Sequence, residues 1–234
     1  MQHIAKNIQR IKAEIASELS KAGREGEDIT LVAVTKTHPV QAIDLALSNG
    51  ISHFGENKVQ EAVRKLPMIS VPYTGFHFIG HLQSNKINQV LALKPLLIHS
   101  IDSLYLADKL HRALGRTNRS QEILIQVNVT DEDSKSGVSF ANAKDMIERI
   151  AGYSTLYIRG LMTIGKLDPN PEVSRIYFQQ LKALFDELRA DFPEGFDYLS
   201  MGMSNDWQIA LQEGSNMLRI GSAIFGKREY GARK

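Results

Sequence analysis

Between Leu31 and Ile220 the chain alternates strand-like and helix-like segments eight times. This order constrains the fold more than any other feature, because strand–helix–strand units join parallel strands. Leu31–Lys36 is the first predicted strand, followed by a helix over Val40–Ser48. His53–Glu56, Phe76–Gly80 and Leu96–Ser100 come next, with helices over Lys58–Leu66, Ser84–Leu93 and Leu104–Leu114. Glu122–Val129 is the fifth and clearest strand, and a helix over Ala141–Ala151 follows a polar loop. Tyr157–Met162 leads to a helix over Glu172–Ala190, and Tyr198–Met201 to one over Asp206–Gln212. Met217–Ile220 is the eighth strand, with a short helical turn near Ala223. Eight units with no ninth predict an α/β fold closed into a (β/α)8 TIM barrel. An open doubly wound sheet is the competing architecture, but no G-x-G-x-x-G follows the first strand.

One helix precedes the eight units, from His3 to Lys21. Ile4, Ile8, Ile11, Ile15 and Leu19 give it one apolar stripe, and Gly23 is well placed to end it. It is expected to pack against the barrel floor or side. The 234 residues suit a single barrel domain spanning 1–234, with no linker or repeat to divide it. A net charge of +2, from 28 basic and 26 acidic residues, argues against nucleic acid or an anionic membrane as partner. The chain has no cysteine, which excludes disulfides, thiolate zinc sites and cysteine nucleophiles. It shows neither the apolar core of a signal peptide nor an apolar run of membrane-spanning length, so a cytoplasmic location is expected.

The functional face of such a barrel lies at the C-terminal ends of its strands. Read in order, those ends carry Lys36, Asn57, His81, Asp102, Asn128, Thr163, Ser200–Ser204 and Arg219–Ser222. A lysine closing a buried strand is costly unless its charge is managed, and a neutral amine can form a Schiff base. On local sequence alone, a side chain that bends out to solvent is the stronger reading. The loops after strands seven and eight change that balance. Ser200-Met201-Gly202-Met203-Ser204 and Arg219-Ile220-Gly221-Ser222 supply glycines, hydroxyls and the start of a short helix, where these barrels hold phosphate. Either turn alone would be an ordinary capped turn.

An imine-forming lysine opposite a phosphate cradle suggests pyridoxal 5′-phosphate (PLP). A sugar phosphate held by an aldolase-type lysine is the alternative on the same physics. Arg219 favours the first, because a guanidinium facing a pyridine nitrogen leaves it unprotonated, whereas a carboxylate would make it an electron sink. His77 and His81 straddle a strand end and lack a third ligand, so a zinc site is set aside. Asp131–Gly137 resembles a calcium loop only faintly: Lys135 takes a ligand position and Asn142 replaces the closing glutamate. Trp207 is expected to pack within the fold.

Several segments together resemble the PLP homeostasis protein family, stand-alone relatives of the alanine racemase barrel domain. They include Ala33-Val34-Thr35-Lys36-Thr37, Phe54-Gly55-Glu56-Asn57 and His77-Phe78-Ile79-Gly80-His81-Leu82-Gln83-Ser84-Asn85-Lys86. Ser134-Lys135-Ser136-Gly137, Arg159-Gly160-Leu161-Met162, Ser200-Met201-Gly202-Met203-Ser204 and Arg219–Gly226 continue the series in family order. The resemblance implies PLP bound as a Schiff base on Lys36. It implies Ser204, Gly221 and Ser222 at the phosphate, Arg219 at the pyridine nitrogen, and Asn57, Ser200 and Met203 lining the pocket. Ser222 replaces the more usual threonine and keeps the hydroxyl. Lys58 replaces a commoner aromatic residue. The loop of Lys135 is one the family implicates in handling PLP.

Two functions fit: a non-catalytic protein that buffers or delivers PLP, and a PLP-dependent amino-acid racemase. Racemisation needs an acid/base group on each face of the substrate carbon. In racemases of this fold the second is a tyrosine from another domain across a dimer, for which the chain after strand eight leaves no room. The expectation is therefore a monomeric carrier without catalytic residues, whose partners are PLP and possible acceptors among apo PLP-dependent enzymes.

Overall fold

The structure, a computed structural model, describes residues 2–130, 136–166, 168–192 and 194–226. Its elements run α1 (Gln2–Lys21), β1 (Thr30–Val34), α2 (Val40–Ser48), β2 (His53–Glu56), α3 (Val59–Lys65) and β3 (Gly75–Phe78). There follow α4 (Ile87–Ala92), β4 (Leu97–Ile101), α5 (Leu104–Gly115), β5 (Gln121–Asn128), β6 (Val138–Ser139) and α6 (Ala143–Ala151). The last are β7 (Leu156–Met162), α7 (Arg175–Asp191), β8 (Tyr198–Ser200), α8 (Trp207–Gln212), β9 (Met217–Ile220) and α9 (Ser222–Phe225). The strands pair in parallel in the order β4-β3-β2-β1-β9-β8-β7-β5, and β4 pairs with β5 to close the ring. This is the expected (β/α)8 barrel. β6 is a two-residue addition beside the end of β5, within a stretch the sequence presents as polar loop.

The strands are buried on both faces, as parallel strands wrapped by helices must be. Their outer faces pack under the helices in one large apolar core. Inside the ring, Val32, Leu97, Leu124, Met162 and Met217 form a separate apolar layer. The interior also holds buried polar side chains, among them His77, His99, Ser200 and Arg219.

The leading helix packs on the side of the barrel. Its stripe of Ile4, Ile8, Ile11, Ile15 and Leu19 is buried, and it touches α2, α8 and α9. α9 has four residues, too few to cover the β9 flank, and α1 supplies the missing part of the outer ring. Asn7 Nδ2 donates to the Ile224 carbonyl at 2.9 Å, and Arg24, just past α1, donates to the Leu211 carbonyl at 2.6 Å. The helix therefore runs antiparallel to β9, from the rim to the floor.

Element ends differ from expectation where local chemistry intervenes. β1 stops at Val34, so Lys36 lies in the turn beyond it. Thr35 still donates its N–H to Gly55, but Thr37 has a φ of 69°, which ends extended backbone. Gly80 and Met201 likewise lie just past their strands. α4 and α7 begin with 3₁₀ turns, Ser84–Lys86 and Pro171–Ser174. Trp207 is buried in the core, as expected. Asp131–Lys135, including the lysine singled out in the sequence, lie outside the described residues.

Candidate functional site

The strand order does the first part of the work. β8, β9, β1 and β2 are consecutive neighbours, so Ser200–Ser204, Arg219–Ser222, Lys36 and Asn57 follow one another around one arc of the rim. The register sets their heights: Val32 pairs with Arg219 and Ala33 with Ile220, while a Cβ on Gly221 would touch Val34.

Lys36 is half-buried, and the backbone on both sides of it is tied down. Thr35 is fully buried and donates its hydroxyl to Glu56 Oε1 at 2.7 Å. Lys65, on α3, donates from Nζ to Glu56 Oε1 at 2.8 Å, to Glu61 Oε2 at 2.9 Å and to the Thr35 carbonyl at 3.0 Å. Glu61 in turn accepts the Thr37 N–H at 2.8 Å. One acidic–basic group thus holds both neighbours of Lys36, including Thr37 in its left-handed conformation. Burial pushes the Glu56 carboxyl up from its ordinary range, while Lys65 and Thr35 pull it back.

Asn57 is half-buried beside Lys36. Its Oδ1 is fully shielded and has no hydrogen-bond partner. Gly80, at the end of β3, packs directly on the Asn57 backbone; a Cβ there would lie 2.0 Å from the Asn57 carbonyl oxygen. Lys58 is exposed. A cavity of about 250 Å³ opens next to this arc, lined by Ile79, His81, Asn128 and Ile164 beyond or at the ends of β3, β5 and β7. His81 lies 3.2 Å from Asp102 and is exposed, whereas His77 is buried inside the ring.

The loops after β8 and β9 meet. Ser204 Oγ accepts the N–H groups of Gly221 and Ala223, each at 3.2 Å. Gly202 has a φ of 94°, and a Cβ there would lie 2.6 Å from that of Ala210, so the turn requires glycine. Met203 is half-buried and donates its N–H to the buried Asp206 at 2.7 Å. Ser222 is exposed at the start of α9. Hydroxyls and backbone N–H groups gathered in this way suit an anionic ligand oxygen.

Arg219 points into the barrel. Its Nη1 donates to Ser200 Oγ at 2.6 Å and its Nη2 to the Thr163 carbonyl at 2.7 Å. Burial lowers its pKa from the ordinary guanidinium range to about 10, with Asp206 opposing through space, so it stays charged at neutral pH. Ser200 Oγ also lies 3.4 Å from His99 Nδ1.

Two groups escaped the sequence reading. Glu56 and Lys65 belong to the hold on Lys36, yet Glu61 and Lys65 at i,i+4 look like an ordinary solvated pair. His53, His77 and His99 join end to end inside the ring. The available signal was that histidine occurs within the second, third and fourth strands, on three neighbouring staves of one barrel.

The alanine racemase, N-terminal domain, family model matches residues 1–229. A pyridoxal phosphate homeostasis protein from Vibrio alginolyticus is 41% identical over 98% of this chain and 100% of its own length. PipY of Synechococcus elongatus, solved with PLP bound, is 34% identical with a TM-score of 0.77, over 91% of this chain and all of that one. Alanine racemase from Corynebacterium glutamicum, 14% identical, shares the fold with a TM-score of 0.70 over 100% of this chain and 63% of its own. On the strength of these matches, the chain belongs to the pyridoxal phosphate homeostasis protein family, built on the alanine racemase N-terminal barrel.

Proposed function

We propose that this chain binds PLP at the rim arc of β8, β9, β1 and β2 and serves PLP homeostasis, with Lys36 as the covalent anchor and no catalysis of its own. The observation that carries the reading is the convergence on that arc of an amine, a buried guanidinium and a hydroxyl drawing two backbone N–H groups. The residues fit the cofactor. Asn57 Oδ1 is a buried acceptor without a protein donor, and such atoms call for a bound molecule or water. Ser204, Gly221 and Ser222 would hold the phosphate, Arg219 the ring nitrogen, and Asn57, Ser200 and Met203 the remaining walls. When bound, PLP supplies an aldehyde that condenses with an amine.

The residues themselves favour holding over turnover. Arg219 can only donate, so it leaves a ring nitrogen without a proton and weakens the cofactor's pull on electrons. Tyr157 and Tyr198 sit at the starts of β7 and β8, at the end of the barrel opposite Lys36. The reading extends to a single domain of residues 1–234, monomeric and cytoplasmic, passing PLP to apo PLP-dependent enzymes.

Two measurements on purified protein test it. After incubation with PLP and dialysis, the wild type should absorb at the edge of the visible range and Lys36→Ala should not. The loaded protein should leave L-alanine unracemised while activating an apo PLP-dependent enzyme. Racemisation abolished by Lys36→Ala would replace the carrier with an enzyme.

A further inference from the structure

The three histidines inside the barrel form a chain that reaches Ser200, at the end of β8. His53 Nδ1 lies 2.9 Å from His77 Nε2, His77 Nδ1 lies 2.8 Å from His99 Nε2, and His99 Nδ1 lies 3.4 Å from Ser200 Oγ. Ser200 Oγ receives Arg219 Nη1–H. His77 and His99 are fully buried. His53 is half-buried in a cavity of about 210 Å³ at the floor, where Thr30, Glu122, Arg159 and Tyr198 from β1, β5, β7 and β8 also face, together with His77 from β3.

Chemistry favours one direction for this chain. A guanidinium has no lone pair, so Ser200 must accept from Arg219 and can send its own proton to His99 Nδ1. A neutral imidazole has one N–H and one bare nitrogen. His99 accepting at Nδ1 therefore donates from Nε2 to His77 Nδ1, and His77 donates from Nε2 to His53 Nδ1. Burial keeps both inner rings neutral, lowering His77 from 6.5 to about 3 and His99 well below its ordinary value. In this order every bare nitrogen faces the Arg219 end, where the positive charge lies. The opposite order would put two donors on Ser200 and turn N–H groups toward the cation.

We infer that His53, His77 and His99 are positioning residues, a one-way hydrogen-bond chain that sets how Ser200 and Arg219 present themselves to the cofactor. The chain also links Ser200 and Arg219 to the barrel floor. With a second ring proton, His53 can only donate toward His77. Each inner ring then carries its proton on Nδ1, and the Ser200 hydroxyl proton turns away from His99. The two arrangements differ by the one proton taken from solvent. The hydrogen-bond order stands by itself, while its effect on the ligand rests on the PLP reading.

The test begins with cofactor-free, ¹⁵N-labelled protein at neutral pH, where long-range ¹H–¹⁵N correlation reports the tautomer of each ring. His77 and His99 should both carry the proton on Nε2; an Nδ1–H tautomer at either one overturns the order, whether or not the protein binds PLP. Titration with PLP then tests positioning. His77→Phe should weaken PLP binding about tenfold, and His77→Gln, which keeps a donor and an acceptor, should recover most of it. Equal dissociation constants for wild type and both variants would overturn the positioning role. His53→Ala, at the half-buried end, guards against a folding failure at His77. It should flatten the change in PLP affinity as pH falls below 6.5, the ordinary value from which burial lowers His53, and an unaltered wild-type profile would count against the coupling.

Discussion

The backbone around Lys36 is set by its neighbours. Thr35 and Thr37 are both tied to the group formed by Glu56, Glu61 and Lys65, so the turn that carries the amine is fixed from two sides. Removing the cation would leave Glu56, whose side chain is fully buried, without its ion-pair partner. Lys65→Met should cost about 3 kcal/mol, the usual consequence of stranding one member of a buried pair. Urea unfolding of the variant measures this directly, and a loss within experimental error of zero would mean the group is held by something else. Lys36 itself was legible in the sequence because it closes an apolar, β-branched run. Glu56 and Lys65 were not, since nothing in a linear pattern shows that a strand-end carboxylate and an i,i+4 helix pair meet across a turn.

At the scale of elements, the periodicities predict eight strands, each followed by a helix, and each forms. The discrepancies lie at ends, where a single residue decides. Thr37 stops β1, Pro171 starts a 3₁₀ turn ahead of α7, and the two-residue β6 is too short to leave a pattern. The place of α1 was only half legible: its apolar stripe shows that it packs, but the brevity of α9 decides where. Gly80 is the tightest join between elements near the site, because β3 and the end of β2 touch there through backbone. Gly80→Ala should destabilise the barrel by about 3 kcal/mol, as overpacking against an immovable carbonyl does. It should also weaken PLP binding, since Asn57 must move. Calorimetry paired with PLP titration checks both, and an unchanged melting temperature would show that the two loops are freer than they look.

For the whole molecule, closure of the ring brings distant residues onto one arc of the rim and also places His77 and His99 where water cannot reach. His77 is lowered to about 3 in the folded state against 6.5 when exposed. The unfolded chain therefore binds that proton first as pH falls. Stability is fully present above about pH 6.5 and declines as pH drops toward 3, with His99 adding in the same direction. His77→Phe should reduce this slope, as read from urea midpoints at several pH values; an unchanged slope would place the acid sensitivity elsewhere. The barrel and the arc of site residues were legible because parallel order and strand ends follow from the sequence. The histidine chain was not, because it depends on how strands are staggered around the ring.

The central claim is that Lys36 anchors the cofactor, and borohydride reduction of the PLP-loaded protein, followed by peptide mass mapping, tests it most directly. The phosphopyridoxyl mass should appear on the peptide that contains Lys36 and vanish in Lys36→Ala. An adduct confined to other lysines, with the Lys36 peptide unmodified, would contradict the account.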